Sequence, residues 1–180
     1  KTKVFGISAM FSHEWTYIKD CLKVIKKKFP KSLIIAGGEH VTAIPEFSLR
    51  DCKEIDYICL GEGEGAMEDL LQRMREKRSY KDVKNLWVKD ASGHIHKNDK
   101  RPLIRPLESL PAPDKSHFAK YGVLTSRIMI MTTRGCPFAC TFCVNSFRNA
   151  EYAGETYLRQ RSVKHVIDDL KKLVKAYKPE

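Results

Sequence analysis

The chain has 180 residues, 42% hydrophobic and 31% charged, with a formal net charge of +11. That balance suits a soluble globular protein. The longest apolar run, around Ile128 to Met131, is far too short to cross a bilayer, and no charged-then-apolar signal segment opens the chain, so a cytoplasmic protein is expected.

Residues 3–8, KVFGIS, form a short apolar run that reads as a buried strand. A helix should follow, because Trp15, Ile18, Leu22, Ile25 and Phe29 recur at spacings of three and four. Lys26, Lys27 and Lys28 fall in its last turn, where positive charge suits the dipole, and Pro30 blocks its continuation. LIIAGG (33–38) is the next strand, PEFSLRD (45–51) a short helix with Pro45 at its start, and DYICLG (56–61) a third strand. GEGEGAMEDLLQRMREK (61–77) leads into a helix with Met67, Leu70, Leu71 and Met74 on one face. Strands alternating with helices indicate an α/β fold with a parallel sheet.

Residues 80–120 change character. NLWV and HIH flank DASG (90–93), a hairpin with Gly93 at the turn, and RPLIRPLESLPAPD then carries four prolines. We expect a hairpin and a linker laid along a surface. RIMIMTT (127–133) reads as a strand, followed by a cysteine loop and a helix from about Val163 with Ser162 as N-cap. Val166, Ile167, Leu170, Leu173, Val174 and Tyr177 form its apolar stripe, and Pro179 ends it. The expected division is 1–79, 80–120 and 121–180. With no initiator methionine and only three parallel strands in front, the chain reads as an internal piece of a longer protein.

Charge divides unevenly, about +3 over residues 1–90 and about +8 over 91–180. The lysines are scattered along helices with acids between them, which reads as a solvated surface and not as a nucleic-acid face.

The densest chemistry lies in RGCPFACTFC (134–143), where Cys136, Cys140 and Cys143 are spaced C-x3-C-x2-C. Clustered thiolates hold soft metals, zinc or iron–sulfur. Structural zinc wants four protein ligands. No fourth cysteine is near, and His117 and His165 could be recruited only by folding. A four-iron cluster on three thiolates leaves one iron open to a small molecule.

This loop resembles that of the radical S-adenosylmethionine superfamily, with Phe142 matching the aromatic that packs by the adenine there. The resemblance implies a [4Fe–4S] cluster on the three cysteines, S-adenosylmethionine at the open iron, an external electron donor of the flavodoxin or ferredoxin kind, and a full or partial (β/α) barrel. Only its first β–loop–α unit is expected here.

The front of the chain resembles cobalamin-binding domains of the partial Rossmann-like, flavodoxin-like class. Ser8-Ala9-Met10, then Gly37-Gly38, is similar to their S-x-L … G-G pattern, with Met10 in place of leucine. GGEH, DYICLGEGE and LPAPD also recur in the cobalamin-binding radical enzymes. By this resemblance Ser8, Gly37, Gly38, Gly61, Glu62 and Gly63 are cofactor contacts at strand ends, where open α/β sheets bind ligands. The D-x-H-x-x-G segment, whose histidine can ligate cobalt, would precede residue 1.

Three further cysteines need weighing. RNA methylthiotransferases hold a second cluster in their front domain through three cysteines. Here Cys21 falls in a helix and Cys59 in a buried strand, so Cys21, Cys52 and Cys59 are expected in the core. His94 and His96 share a strand face and read as hairpin residues or a metal pair. Glu62 and Glu64 are acid–base candidates or carboxylates at a helix N-terminus. No catalytic side chain is assigned.

The resemblance implies a cobalamin-dependent radical enzyme acting on a small molecule, with C-methyl transfer first. Ring rearrangement, oxidative cyclisation and RNA modification are alternatives within the superfamily. A catalytically silent binding or scaffold module is the alternative outside it.

Overall fold

A computed structural model describes residues 3–90, 92–122 and 128–178. It divides into two compact units, Lys1–Pro102 and Leu103–Glu180. Pro179, expected to stop the last helix, and Arg127 of the expected strand lie outside the described residues.

The first unit is a five-stranded sheet in the order β1-β2-β3-β4-β5. Strands β1 (Val4–Ser8), β2 (Leu33–Gly37) and β3 (Tyr57–Cys59) are parallel. Successive side chains of a strand point to opposite faces, and the buried residues sort accordingly. Ile34, Ala36 and Ile58 face one cluster with Trp15, Ile18 and Leu22 of helix α1 (Trp15–Lys28), and with Val41 and Leu49. Ile35, Tyr57 and Cys59 face the other, with Ala66 and Leu70 of the α4 helix described below. Both faces of the sheet are therefore covered, which explains why β2 and β3 are apolar without alternation.

Two short helices follow β2. Helix α2 (Glu39–Ala43) begins directly after Gly38, and α3 (Pro45–Asp51) has Pro at its start as expected. Helix α4 (Glu64–Arg75) follows β3. Leu70 is fully buried on α4, whereas Leu71 is 45% exposed, so the apolar face of this helix is narrower than the sequence suggests.

The hairpin expected as part of a linker belongs to the sheet instead. Strand β4 (Leu86–Lys89) pairs antiparallel with β3, and β5 (Ile95–Lys97) pairs with β4. The physical reason is the free edge of β3, whose backbone groups need partners once buried. Ile95 and Trp87 join the apolar cluster beneath α1, so the hairpin also closes the core. At its turn Gly93 has φ +87°, and the Asp90 carboxylate accepts hydrogen bonds from the Ser92 N–H and Oγ–H and from the His94 N–H.

In the second unit the proline-rich stretch is irregular apart from one turn of 3-10 helix at Leu107–Ser109. Helix α5 (Ser116–Ala119) is a single turn. The strand expected over 127–133 is reduced to β6 (Thr133–Arg134), paired antiparallel with β7 (Arg159–Gln160). A strand needs a neighbour to satisfy its backbone. Over Ile128–Thr132 the backbone is held at its end, where the Arg161 N–H donates to Thr132 O at 2.9 Å. Helix α6 (Val144–Glu151) follows the cysteines, and α7 (Val163–Tyr177) is capped by Ser162 Oγ, which accepts the His165 N–H at 3.4 Å. The buried residue of α7 is Asp169, which pairs with Arg161, while Ile167 and Val174 of the expected stripe are 43% and 52% exposed.

Candidate functional site

Each unit carries one set of the residues singled out in the sequence. In the first, Ser8 and Gly37 are register partners at the C-terminal ends of β1 and β2. The chain beyond them is zipped together, since the Ala9 N–H donates to Gly37 O at 2.7 Å and the His40 N–H donates to Ala9 O at 3.0 Å. This tight return explains Gly38. Its φ is +99°, and a Cβ there would lie 2.5 Å from Ala9 O, so any side chain would force the two strand ends apart. Gly37 is different: an added Cβ would meet Cys59 O at 3.8 Å, an ordinary contact.

After β3 the chain turns at Gly61, which has φ +66°. The Gly61 N–H donates to Thr42 Oγ1 at 3.2 Å, and the Thr42 hydroxyl donates to Gly38 O at 2.8 Å. One buried hydroxyl thus joins the Gly37-Gly38 loop to the Gly61-Glu62-Gly63 loop. Gly63 precedes α4, and a Cβ there would come within 3.4 Å of Cys59 Sγ. Ser8, Gly37, Gly38, Gly61, Glu62 and Gly63 are therefore brought to one end of the sheet. Ser8 is exposed, and Met10 and Phe11 beside it are 46% and 58% exposed. Such a surface, small at the strand ends and apolar at its margin, can receive a large flat ligand against the backbone.

His40, in the GGEH stretch, is buried on α2. It is 6% exposed, its ring centroid is 4.6 Å from that of Trp15, and Nδ1 is 2.9 Å from Ser12 Oγ. Its Nε2 is buried with no hydrogen-bond partner. Burial lowers its pKa, opposed by nearby Asp51.

In the second unit Cys136, Cys140 and Cys143 are free thiols on one loop, Cys140 exposed and the other two half-buried. Gly135 opens the loop at φ +88°, and a Cβ there would fall 2.3 Å from Tyr157 O. Cys143 caps α6: its N–H donates to Cys140 O at 3.0 Å, and its carbonyl accepts the Ser146 N–H at 3.1 Å. Ser146 Oγ–H also donates to Cys140 O at 2.6 Å, and the Asn145 amide lies 3.5 Å from Cys143 Sγ. At the loop's other end the Asn149 amide of α6 donates to Cys136 O at 3.4 Å, so α6, a helix not expected from the sequence, holds both ends. Phe142 is 93% exposed. Among the described residues no three His, Cys, Asp or Glu side chains are gathered closely enough to hold a single metal ion. Three cysteine thiols on one short loop are the type of donor that iron–sulfur clusters take. A cavity of about 520 Å³ in this unit, lined by Leu107, Pro111, Met129, Met131, Arg161 and Leu173, reaches Arg134 at the start of the cysteine loop.

Cys52 and Cys59 are buried, and burial pushes their thiols up to about 11. His96 is 2.8 Å from Asp90, and its ring packs edge-on against that of His94 at 4.8 Å. No helix among the described residues is long and apolar enough to cross a membrane.

The architecture defines an α/β ligand-binding unit followed by a unit bearing a thiolate loop. Residues 1–71 match the B12 binding domain family. An uncharacterized methyltransferase of Pyrococcus horikoshii is 32% identical over 157 residues, covering 82% of this chain and 32% of the relative. The cobalamin-dependent radical SAM methyltransferase TokK of Streptomyces tokunonensis is 26% identical over 147 residues, covering 76% of this chain and 21% of TokK. The cobalamin-dependent S-adenosylmethionine radical enzyme OxsB, solved with aqua-cobalamin and S-adenosylmethionine bound, shares the fold with a TM-score of 0.76 at 21% identity, over 98% of this chain and 24% of OxsB. The chain is similar to cobalamin-dependent radical S-adenosylmethionine proteins, and it spans about a third or less of the length of these relatives.

Proposed function

We propose that the whole protein is a cobalamin-dependent radical S-adenosylmethionine methyltransferase acting on a small molecule, with an external reductant supplying electrons. The observation that carries this reading is the presence in one chain of a B12-binding sheet end and a C-x3-C-x2-C loop. TokK and the Pyrococcus relative, both named methyltransferases, support it.

Cys136, Cys140 and Cys143 would hold a [4Fe–4S] cluster, which when bound supplies the electron for cleaving S-adenosylmethionine, while cobalamin supplies the methyl group. The chain's own residues bind and orient. Gly135 lets the loop turn tightly enough against Tyr157 for its three thiols to project from one short segment. Phe142 offers an exposed apolar face for the adenine. Gly38 and Gly61, both in the left-handed region, let the backbone rather than side chains form the surface over the strand ends. Gly37 and Ser8 keep that surface low, and Glu62 and Gly63 continue it to the start of α4.

The test is anaerobic reconstitution of the full-length protein with iron and sulfide, followed by hydroxocobalamin, desalting, and iron and visible-spectrum analysis. Roughly four iron per chain and retained cobalamin are expected. Stoichiometric zinc without iron uptake would sink the cluster reading. Complete loss of cobalamin on desalting would sink the methyltransferase reading and leave the cluster reading standing.

A further inference from the structure

The loop at Gly61 is held by a side chain from beyond the residues that match the B12 binding domain. Asn85 precedes β4 and is 1% exposed, with φ +71°, a left-handed conformation that asparagine tolerates better than most residues. Its Nδ2 donates to Leu60 O at 2.8 Å and to Glu62 O at 3.0 Å, and its Oδ1 accepts the Arg101 N–H. Its backbone is equally engaged, since the Leu60 N–H donates to Asn85 O and the Asn85 N–H donates to Asp99 O, both at 2.8 Å. An amide with every donor and acceptor paired in a buried place is a fixed brace, because releasing any partner would strand a polar group. Thr42 Oγ1 grips the same loop from the other side, at the Gly61 N–H. Arg101 extends the brace to α4, its Nη2 donating to Asp69 at 2.8 Å and its Cδ lying 3.6 Å from where a Gly65 Cβ would be.

From this geometry we infer that Asn85, with Thr42, is a positioning residue for cobalamin, fixing the Leu60–Glu62 backbone in the shape the ligand meets. The inference rests on the reading that the strand ends receive cobalamin. It makes the hairpin segment a working part of the binding unit, although Asn85 itself has no surface to offer a ligand. The left-handed φ and the side-chain hydrogen bonds can be separated. Asn85→Gly keeps the backbone conformation and removes the brace, whereas Asn85→Asp keeps the size and turns a carboxylate toward two carbonyl oxygens.

The experiment uses the full-length protein, titrated with hydroxocobalamin and followed by its visible spectrum, with amide exchange measured over residues 57–66. Asn98→Ala is the control. Asn98 Nδ2 donates to the carbonyls of Lys81, Val83 and Leu86, so it supports the hairpin base without touching the Gly61 loop. Asn85→Gly should weaken binding about tenfold, the scale of one or two lost buried hydrogen bonds, and Asn85→Asp should weaken it further. Exchange over 57–66 should quicken in both, while Asn98→Ala lowers thermal stability and leaves affinity unchanged. Should the Asn85 variants not fold, Thr42→Val loosens the same loop and should show the same loss. The inference is overturned if Asn85→Gly, or Thr42→Val in its place, binds as tightly as the parent, or if Asn98→Ala weakens binding equally. If the parent itself retains no cobalamin, the underlying reading fails and takes this inference with it; exchange over 57–66 then reports the brace alone.

Discussion

The six cysteines divide three and three between the two units, and the two sets live in opposite surroundings. Cys52 and Cys59 are packed among apolar side chains, with thiols pushed up to about 11 by burial, and Cys21 sits half-buried on α1. Cys136, Cys140 and Cys143 lie on one loop within eight residues, pinned by a helix start, with Cys140 exposed and the other two half-buried. The units differ in the same sense throughout. Both clusters of buried apolar side chains belong to the first. In the second, the buried apolar residues described are Leu103, Leu107 and Tyr152, beside buried Arg148, Arg159 and Asp169, while Met129, Phe142 and Val163 are more than three-quarters exposed. A thiol kept protonated in a core packs like a small hydrophobe, whereas one on an open loop is available to metal. The same side chain packs in one unit and lies on an open loop in the other because of where its neighbours place it.

The largest effect should come from the loop. In the full-length protein Cys140→Ala should abolish cluster incorporation, taking iron from roughly four per chain to near zero. Gly135→Ala leaves all three thiols in place, but its Cβ would collide with Tyr157 O. Iron uptake should fall severalfold even so. Uptake equal to the parent would mean that the loop does not need this turn.

A core cavity should separate the units next. Leu22 is fully buried on α1, so Leu22→Ala should cost about 2–5 kcal/mol. Ile167→Ala, on the exposed side of α7, should stay within about 0.5 kcal/mol. Both tryptophans, Trp15 and Trp87, belong to the first unit, so tryptophan fluorescence reads Leu22→Ala in urea unfolding, whereas Ile167→Ala is read by the far-ultraviolet circular dichroism of the helices, α7 among them. A shift from Ile167→Ala as large as that from Leu22→Ala would erase the contrast.

The first unit was also the more legible in the sequence, and for the same reason. Strands β1 to β3 and helices α1, α3 and α4 follow from apolar periodicity because each is buried on a fixed face. What escaped was held by polar detail. Helix α2 is five residues long, too short for periodicity to register, and Asn85 acts through hydrogen bonds that no spacing announces. The hairpin was seen, but its pairing with β3 depends on an open strand edge, a property of the sheet and not of the hairpin's residues. In the second unit the apolar run at 128–132 suggested a strand that finds little pairing, and α6 was hidden by the polar VNSFRNAE. The three loop cysteines were legible because their spacing is itself the signal; the helix that pins them was not.

A smaller effect should appear with pH. Burial lowers the pKa of His40, so the folded first unit favours the neutral ring more than the unfolded chain does. The associated stability is fully present above the unfolded value of about 6.5 and is lost as pH falls below it. The fluorescence-detected urea midpoint should therefore drop between pH 7.5 and pH 5. In His40→Gln that drop should shrink, although the variant starts lower for loss of packing against Trp15. An unchanged pH slope would show that His40 is not its source.

The smallest expected effect is none, and it bears most directly on the two sets of thiols. Replacing Cys21, Cys52 and Cys59 together with alanine should leave iron per folded full-length chain unchanged. Cys59 is on β3, the middle strand of the sheet, and Cys52 at the end of α3, each among apolar neighbours, while Cys21 is on a different element, so the three offer no common loop on which a cluster could form. Stability should fall, because two of the three side chains fill core space and their truncation leaves small voids. Iron must therefore be normalised to folded protein, using the same fluorescence signal that reports the first unit. A loss of about half the iron would mean a second cluster in the front unit, of the order carried by the loop. The division of the cysteines into packing and chemistry would then be wrong for the first unit, whatever Cys140→Ala had shown for the second.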